Sequence, residues 1–314
     1  MKMINIKEKY FYKNEIGLFI HAVREAKGYT MEEISHGICS IPTLSRIEAG
    51  ERVVDYIMIE ALLERMKLTK SEYEFVLDEE DYCQYMQREK IRKLITFKEY
   101  QQAEELVLDY EKEHKEKFLH EQFIYLHKGL IEKHKQNIVQ AAELLKKALC
   151  ITAPDYQQII LERGILSDTE LLCLAELIQC IEAVTEQEEK QKELYEYFKW
   201  CRVREKLYPI PYRRAMRYYA ECLYSNKKYE SCIKICNEVL EELTTTSKLE
   251  ERNLIFELRA YARERLGYTG EEEKNLCLKD FLTAYYVTEF YDGEEKAQKL
   301  KKHIGEVYGW QFIE

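Results

Sequence analysis

Apolar residues recur three and four apart along most of this chain, and the pattern predicts one helix after another. The first predicted helix runs from Ile16 to Ala26. Thr30 then reads as an N-cap with Glu33 three residues on, the pairing of a capping box. Met31 to His36 give about two turns with Ile34 buried. Gly37 follows where a positive φ is needed, and Ile38 fills the space between helices. Ser40 caps the next helix and Pro42 sits in its first turn, where a missing N–H does no harm. Leu44 and Ile47 share its inner face and Gly50 ends it. A helix over Asp55–Met66 buries Ile59, Leu62, Leu63 and Met66, and a shorter one is expected from Ser71 to about Leu77. The acidic run 78–81 marks a boundary and caps the helix that follows, because carboxylates favour the positive end of a helix dipole.

Two short helices joined by a tight turn over Tyr29–Gly50 form a helix-turn-helix in pattern. The spaced set Thr30, Glu33, Ile34, Gly37, Ile38, Ser40, Leu44, Ser45, Arg46, Ile47, Glu48 and Gly50 resembles the lambda-repressor-like, XRE-type DNA-binding domain, over about residues 10–70. Met31 stands where such domains often carry Gln, and the loop after Gly50 lacks their common Pro. The resemblance implies that the helix starting at Ser40 enters the major groove. Ile41, Thr43 and Arg46 would then lie nearest base edges or flanking phosphate, and Thr30 and Ser45 near phosphates. Arg52 is a further candidate phosphate contact.

Beyond residue 80 a repeat of about 34 residues emerges. Its best copy holds Tyr125, Gly129, Ala141, Leu145, Ala148 and Pro154 at or beside the positions of the tetratricopeptide (TPR) signature. A second copy holds Ala220, Tyr229, Cys232, Cys236 and Val239, and a third holds Ala103 and Val107 after the turn at 96–98. Small residues belong where two antiparallel helices cross closely. The expected fold is all-α, a lambda-repressor-like helix-turn-helix domain (1–75) followed by a TPR-like α-solenoid (80–314). Stacked repeats present a concave face lined by the first helix of each pair. In this register that face includes His127, Glu176, Gln179, Arg214, Arg217, Tyr218, Glu221, Tyr224, Arg259 and Arg263. Arg214 and Arg217 are three apart and Arg259 and Arg263 four apart, so each pair shares a helix face suited to gripping a carboxylate. The competing assignment is that these arginines pair with local carboxylates and hold repeats together.

Composition agrees with the helical reading: among 314 residues there are 4 Pro and 11 Gly, and 46% are hydrophobic, enough for a real core. No apolar run approaches the ~20 residues that span a bilayer, and the N-terminus lacks a signal-type apolar stretch, so a cytoplasmic location away from membranes is expected. The net charge is −10, with −1 over residues 1–75 and −9 over the rest. Without a broad basic field, DNA binding would depend on local placement of Arg46, Arg52 and a few lysines. Lys2, Lys7, Lys9 and Lys13 form a basic arm or simply a frayed, solvated terminus. The ten cysteines are scattered with no CxxC, and read as small buried hydrophobes in a reducing compartment. No phosphate-binding glycine loop, GxSxG or paired-histidine zinc motif occurs, so no enzyme, metal or cofactor is expected.

A helix-turn-helix followed by TPR-like helices resembles the peptide-responsive transcription regulators of Gram-positive bacteria, the RRNPP group. That resemblance implies a homodimer, a double-stranded DNA operator of palindromic or repeated form, and a short signalling peptide in the groove, as in quorum sensing. The apolar segment 307–313 is the expected dimerisation element, or else a cap on the last repeat. Two other readings stay open: a helix-turn-helix regulator whose repeats bind a partner protein, and an adaptor with a vestigial DNA module.

Overall fold

The computed structural model describes residues 10–11, 15–68, 74–75, 77–115, 117–182, 188–205, 210–243, 252–268 and 270–312. The basic arm expected over residues 2–9 and 13, and Ile313 of the tail, lie outside the described residues. Among the described residues there are sixteen α-helices and one pair of two-residue strands. Backbone packing divides the chain into two compact units, residues 1–186 and 187–314.

The first unit opens with α1 (Ile16–Lys27), α2 (Met31–Ser35), α3 (Ile41–Glu48) and α4 (Tyr56–Arg65). Their apolar faces close on one core of Ile16, Ile20, Ile34, Leu44, Ile47, Ile59, Leu62 and Leu63. Gly17 lets α1 and α3 touch: a Cβ there would lie 1.7 Å from the Ile47 carbonyl oxygen. The short helix expected at 71–77 is corrected at residues 74 and 75, while 71–73 and 76 lie outside the described residues. Glu74–Phe75 is instead a strand, β2, paired in parallel with β1 (Tyr10–Phe11). Seven residues rich in Tyr, Phe and Val make a poor helix nucleus, and extended pairing suits those residue types better.

Repeats follow: α5 (Glu79–Thr96) with α6 (Tyr100–His114), and α7 (Phe118–His134) with α8 (Ile138–Thr152). The short α9 (Tyr156–Leu161) and then α10 (Asp168–Glu182) complete the unit. Asp78 caps α5 by accepting from the Asp81 amide, as the acidic run suggested. Gly129 is a crossing point, since a Cβ there would meet Leu145 Cγ at 2.8 Å. Ala103, Ala141, Leu145 and Ala148 are all fully buried.

The second unit holds α11 (Glu188–Glu205), α12 (Ile210–Ser225), α13 (Tyr229–Leu243), α14 (Arg252–Leu266), α15 (Glu271–Asp292) and α16 (Glu294–Tyr308). Ala220, Cys232, Cys236 and Val239 of the second sequence copy are buried between α12 and α13. Ala260, Cys277, Phe281, Ala284, Ala297, Leu300 and Ile304 form the core of α14–α16.

One turn recurs inside these pairs. Lys98, Gln136 and Lys227 have φ of 64, 65 and 60°. Each stands between the two helices of a pair, and the residue after it returns its amide to a carbonyl five residues back: Glu99 to Leu94, Asn137 to Glu132, Lys228 to Leu223. This left-handed helix end satisfies the orphan carbonyls of the first helix. It is a repeat signature in backbone geometry, carried by residues that do not announce it.

Candidate nucleic-acid interface and ligand-binding residues

Both caps of the helix-turn-helix form as the residue types require. Thr30 accepts from the Glu33 amide at 3.1 Å, and Glu33 Oε2 accepts from the Thr30 amide at 2.8 Å and its hydroxyl at 3.0 Å. The Thr30 hydroxyl is thereby committed to the capping box. Ser40 Oγ accepts from the Thr43 amide at 3.2 Å, and its hydroxyl lies 2.9 Å from that of Thr43. Arg52 Nη1 donates to Thr43 Oγ1 at 3.4 Å. Ser40, Ile41, Ser45, Arg46 and Arg52 are exposed and Thr43 is half-buried, so six of the seven predicted residues lie on or beside the outer side of α3. Among the described residues the Arg46 guanidinium has no hydrogen bond or ion pair.

The one acid within α3 is withdrawn from that face. Glu48 is buried, and its carboxylate takes a two-pronged contact from Arg24, Nε at 2.7 Å and Nη2 at 2.9 Å, with His21 Nδ1 at 2.9 Å. Burial pushes the Glu48 pKa up, but the bonds from Arg24 and His21 outweigh it and hold it below the usual carboxylate value. A buried, neutralised Glu48 does not repel phosphate as an exposed one would.

The turn before α3 is fixed from behind within the first unit. Gly37 has φ +68°, and a Cβ there would stand 1.8 Å from the Thr152 carbonyl oxygen at the end of α8. His36 Nε2 is 3.0 Å from Asp155 Oδ1. Arg65, fully buried, donates Nη1 to the carbonyls of Glu33 at 3.3 Å and His36 at 3.1 Å, closing the end of α2. Its Nη2 meets Glu170 Oε1 of α10 at 2.5 Å. Burial pushes the Glu170 carboxyl up, but the Arg65 charge together with bonds from the Thr152 hydroxyl and the Ser167 amide outweighs it, so its pKa is lowered. Lys67 pairs with Asp168 at 2.9 Å, and Glu64 accepts from the amide and hydroxyl of Thr169. Glu64 is raised, first by burial and then by the charge of Asp168.

A second buried polar chain starts on α4. Glu60 Oε2 takes Arg88 Nη2 at 2.6 Å, Arg88 Nη1 reaches Tyr110 at 3.4 Å, and the Tyr110 hydroxyl lies 2.6 Å from His120 Nδ1. His114 stacks on His120 with ring centres 4.7 Å apart. Sequence spacing named neither Arg65 nor Arg88. The only available signal was a charge at a helix position flanked by core residues.

The ten predicted ligand residues fall three in the first unit and seven in the second. In the first, His127 is buried and donates Nδ1 to the Phe123 carbonyl at 2.7 Å; burial pushes its pKa down to about 3. Glu176 is buried and ion-paired with Lys133, and Gln179 beside it is half-buried. In the second, Arg217 pairs with Glu221 on its own helix and lies over the Tyr218 ring at 4.4 Å. Tyr218 is buried, Arg214 is half-buried, and Tyr224 packs edge-on against Tyr229 with ring centroids 5.4 Å apart. Arg259 forks onto Asp280 at 2.8 and 2.6 Å and also reaches Asn237. Arg263 pairs with the same Asp280. Asp280, the carboxylate that gathers both arginines, was not singled out from the sequence.

The tail lies on the last core: Phe312 packs on Tyr285 with centroids 4.6 Å apart, and Tyr308 donates to Glu264 at 2.8 Å. Val307 and Trp310 of the same tail are exposed, and further exposed aromatics sit on α15, where Phe290 is 80% and Tyr286 53% accessible. Among the described residues no metal-ligand cluster occurs, and no helix is long and apolar enough to cross a membrane.

Residues 20–73 match the protein-family model described as Helix-turn-helix. The crystal structure of Bacillus thuringiensis PlcR in complex with the peptide PapR7 and DNA aligns over 91% of this chain and 99% of that one, at 17% identity and a TM-score of 0.55. Apo ComR from Streptococcus vestibularis (16% identity, 93% and 99% covered) and the SHP pheromone receptor Rgg2(C45S) from Streptococcus dysgalactiae (12%, 93% and 99%) reach TM-scores of only 0.47 and 0.39. A comparison with curated proteins returned no match. In class, then, residues 20–73 form a helix-turn-helix domain. Over 91% of its length the chain shares, at low identity, the fold of PlcR.

Proposed function

We propose that this chain is a cytoplasmic transcription regulator that reads a double-stranded DNA operator through α3 and is controlled by a short signalling peptide bound by its repeats. Residues 1–75 do the reading, and residues 80–314 bind the peptide and hold two copies together. The observation that carries the reading is the outer side of α3: an Arg46 unpaired among the described residues, with Arg52 beside it and the one acid in the helix buried against Arg24. Arg46 is suited to fork onto guanine, and Arg52 to a flanking phosphate. A single α3 reads a half-site, so two copies would engage sites about one DNA turn apart. Support for peptide control is the fold shared with PlcR, which was solved with a peptide and DNA. Genomic DNA fragments pulled down by the full-length protein, with and without culture supernatant, test this. Enrichment of defined fragments that changes with a supernatant peptide is expected. Enrichment indifferent to every supernatant would leave the DNA reading and remove the peptide.

The exposed aromatics of α15 favour a second reading, in which the repeats take a partner protein. The engaged state of Arg217, Arg259 and Arg263 fits it, because a peptide carboxylate would have to compete with Glu221 and Asp280.

A further inference from the structure

The polar groups at the start of α3 are largely spoken for. Ser40 and Thr43 are tied to each other and to the first-turn amide, and Arg52 leans on Thr43. What remains outward is Ile41, Pro42, Ser45, Arg46 and Ala49, which fall within about 140° of helical arc. Ile41 is the one large apolar side chain among them. It is 46% exposed, whereas Leu44 and Ile47 of the same helix are buried in the core. A β-branched residue gains nothing for the helix at an exposed site, where a polar or smaller residue serves as well.

In the major groove, base pairs present donors, acceptors and one apolar group, the methyl on C5 of thymine. We propose that Ile41 is a specificity residue that packs on a pyrimidine 5-methyl group in each operator half-site. This rests on the DNA-reading role proposed above. The methyl has two sources, thymine and 5-methylcytosine, with the same chemistry at C5.

The test begins with duplexes enriched from a random pool by the full-length protein. Each thymine is then replaced singly by deoxyuridine, which removes only the methyl, and each cytosine by its 5-methyl form. Affinities are measured for the wild type and for Ile41→Ser, with circular dichroism confirming that both fold. One position per half-site should lose affinity roughly three- to tenfold on removal of its methyl, or gain as much on addition, as burial of one methyl allows. Ile41→Ser should bind the two forms equally. If no methyl matters, or if Ile41→Ser responds as the wild type does, the proposal is overturned while the DNA reading stands. If no duplex is enriched at all, the DNA reading falls and takes this proposal with it.

Discussion

Gly28 and Gly37 provide a matched pair for testing how the helix-turn-helix is seated. Both lie at helix ends with nearly the same backbone, φ +72° and +68°. A Cβ at Gly28 meets nothing within 4 Å, whereas one at Gly37 would come within 1.8 Å of the Thr152 carbonyl oxygen. Gly28→Ala therefore measures the left-handed cost alone, about 1 kcal/mol. Gly37→Ala adds a collision with backbone, which cannot swing aside like a side chain. The turn must lift off α8, at an overpacking cost of roughly 1–3 kcal/mol, and the exposed His36–Asp155 pair is lost with it. Gly37→Ala should thus cost about 2–4 kcal/mol, two to four times its control. In urea titrations of the full chain this appears as a midpoint shift of the first unit at unchanged slope. Equal shifts for the two variants would refute the seating of Gly37 on Thr152.

Acid should unfold the first unit by a predictable route. Burial holds His120 and His127 at about 3 against an ordinary 6.5, and His114 is lowered in the same direction. Above 6.5 these rings are neutral folded or unfolded; below it the unfolded chain takes protons the folded one refuses. Stability therefore falls as pH drops from 6.5 toward 3, by roughly 1.4 kcal/mol per pH unit for each of His120 and His127, and urea midpoints flat between pH 7 and 5 would contradict this. Arg65→Met leaves the Glu170 carboxylate buried without its partner and should cost about 3–5 kcal/mol, with much of that recovered in the double variant Arg65→Met, Glu170→Leu by thermal melting. Lys98→Gly, Gln136→Gly and Lys227→Gly should each be neutral to stabilising by up to about 1 kcal/mol, because each relieves a left-handed backbone in a residue with a Cβ; a loss in all three would mean these turns differ in solution.

The helix-turn-helix was legible because its boundaries are written in cap residues: Thr30 with Glu33, Ser40 with Pro42, and Gly37 at the positive φ. Small residues at crossings, such as Gly129 and Ala141, made the repeat legible too. The turns between repeat helices were not, since Lys98, Gln136 and Lys227 carry a conformation usually marked by glycine. Buried charges were hidden for a different reason. Arg65 finds Glu170 across 105 positions, and nothing local distinguishes it from a solvated arginine. The same holds for Arg259 and Arg263, whose shared Asp280 decides whether their charge is open to a ligand. Periodicity locates a helix face, but the partner of a charge on that face is a tertiary fact.

DNA reading by the outer side of α3 can be measured by titrating one enriched duplex against the wild type and Arg46→Ala at fixed salt. Arg46 is exposed and unpaired among the described residues, so the variant should keep its helical circular dichroism and melting temperature. Arg46→Ala should lose affinity roughly five- to a hundredfold, the worth of a forked arginine–guanine contact of about 1–3 kcal/mol. Unchanged affinity for the enriched duplex would take Arg46 off the reading surface and leave α3 without its proposed role.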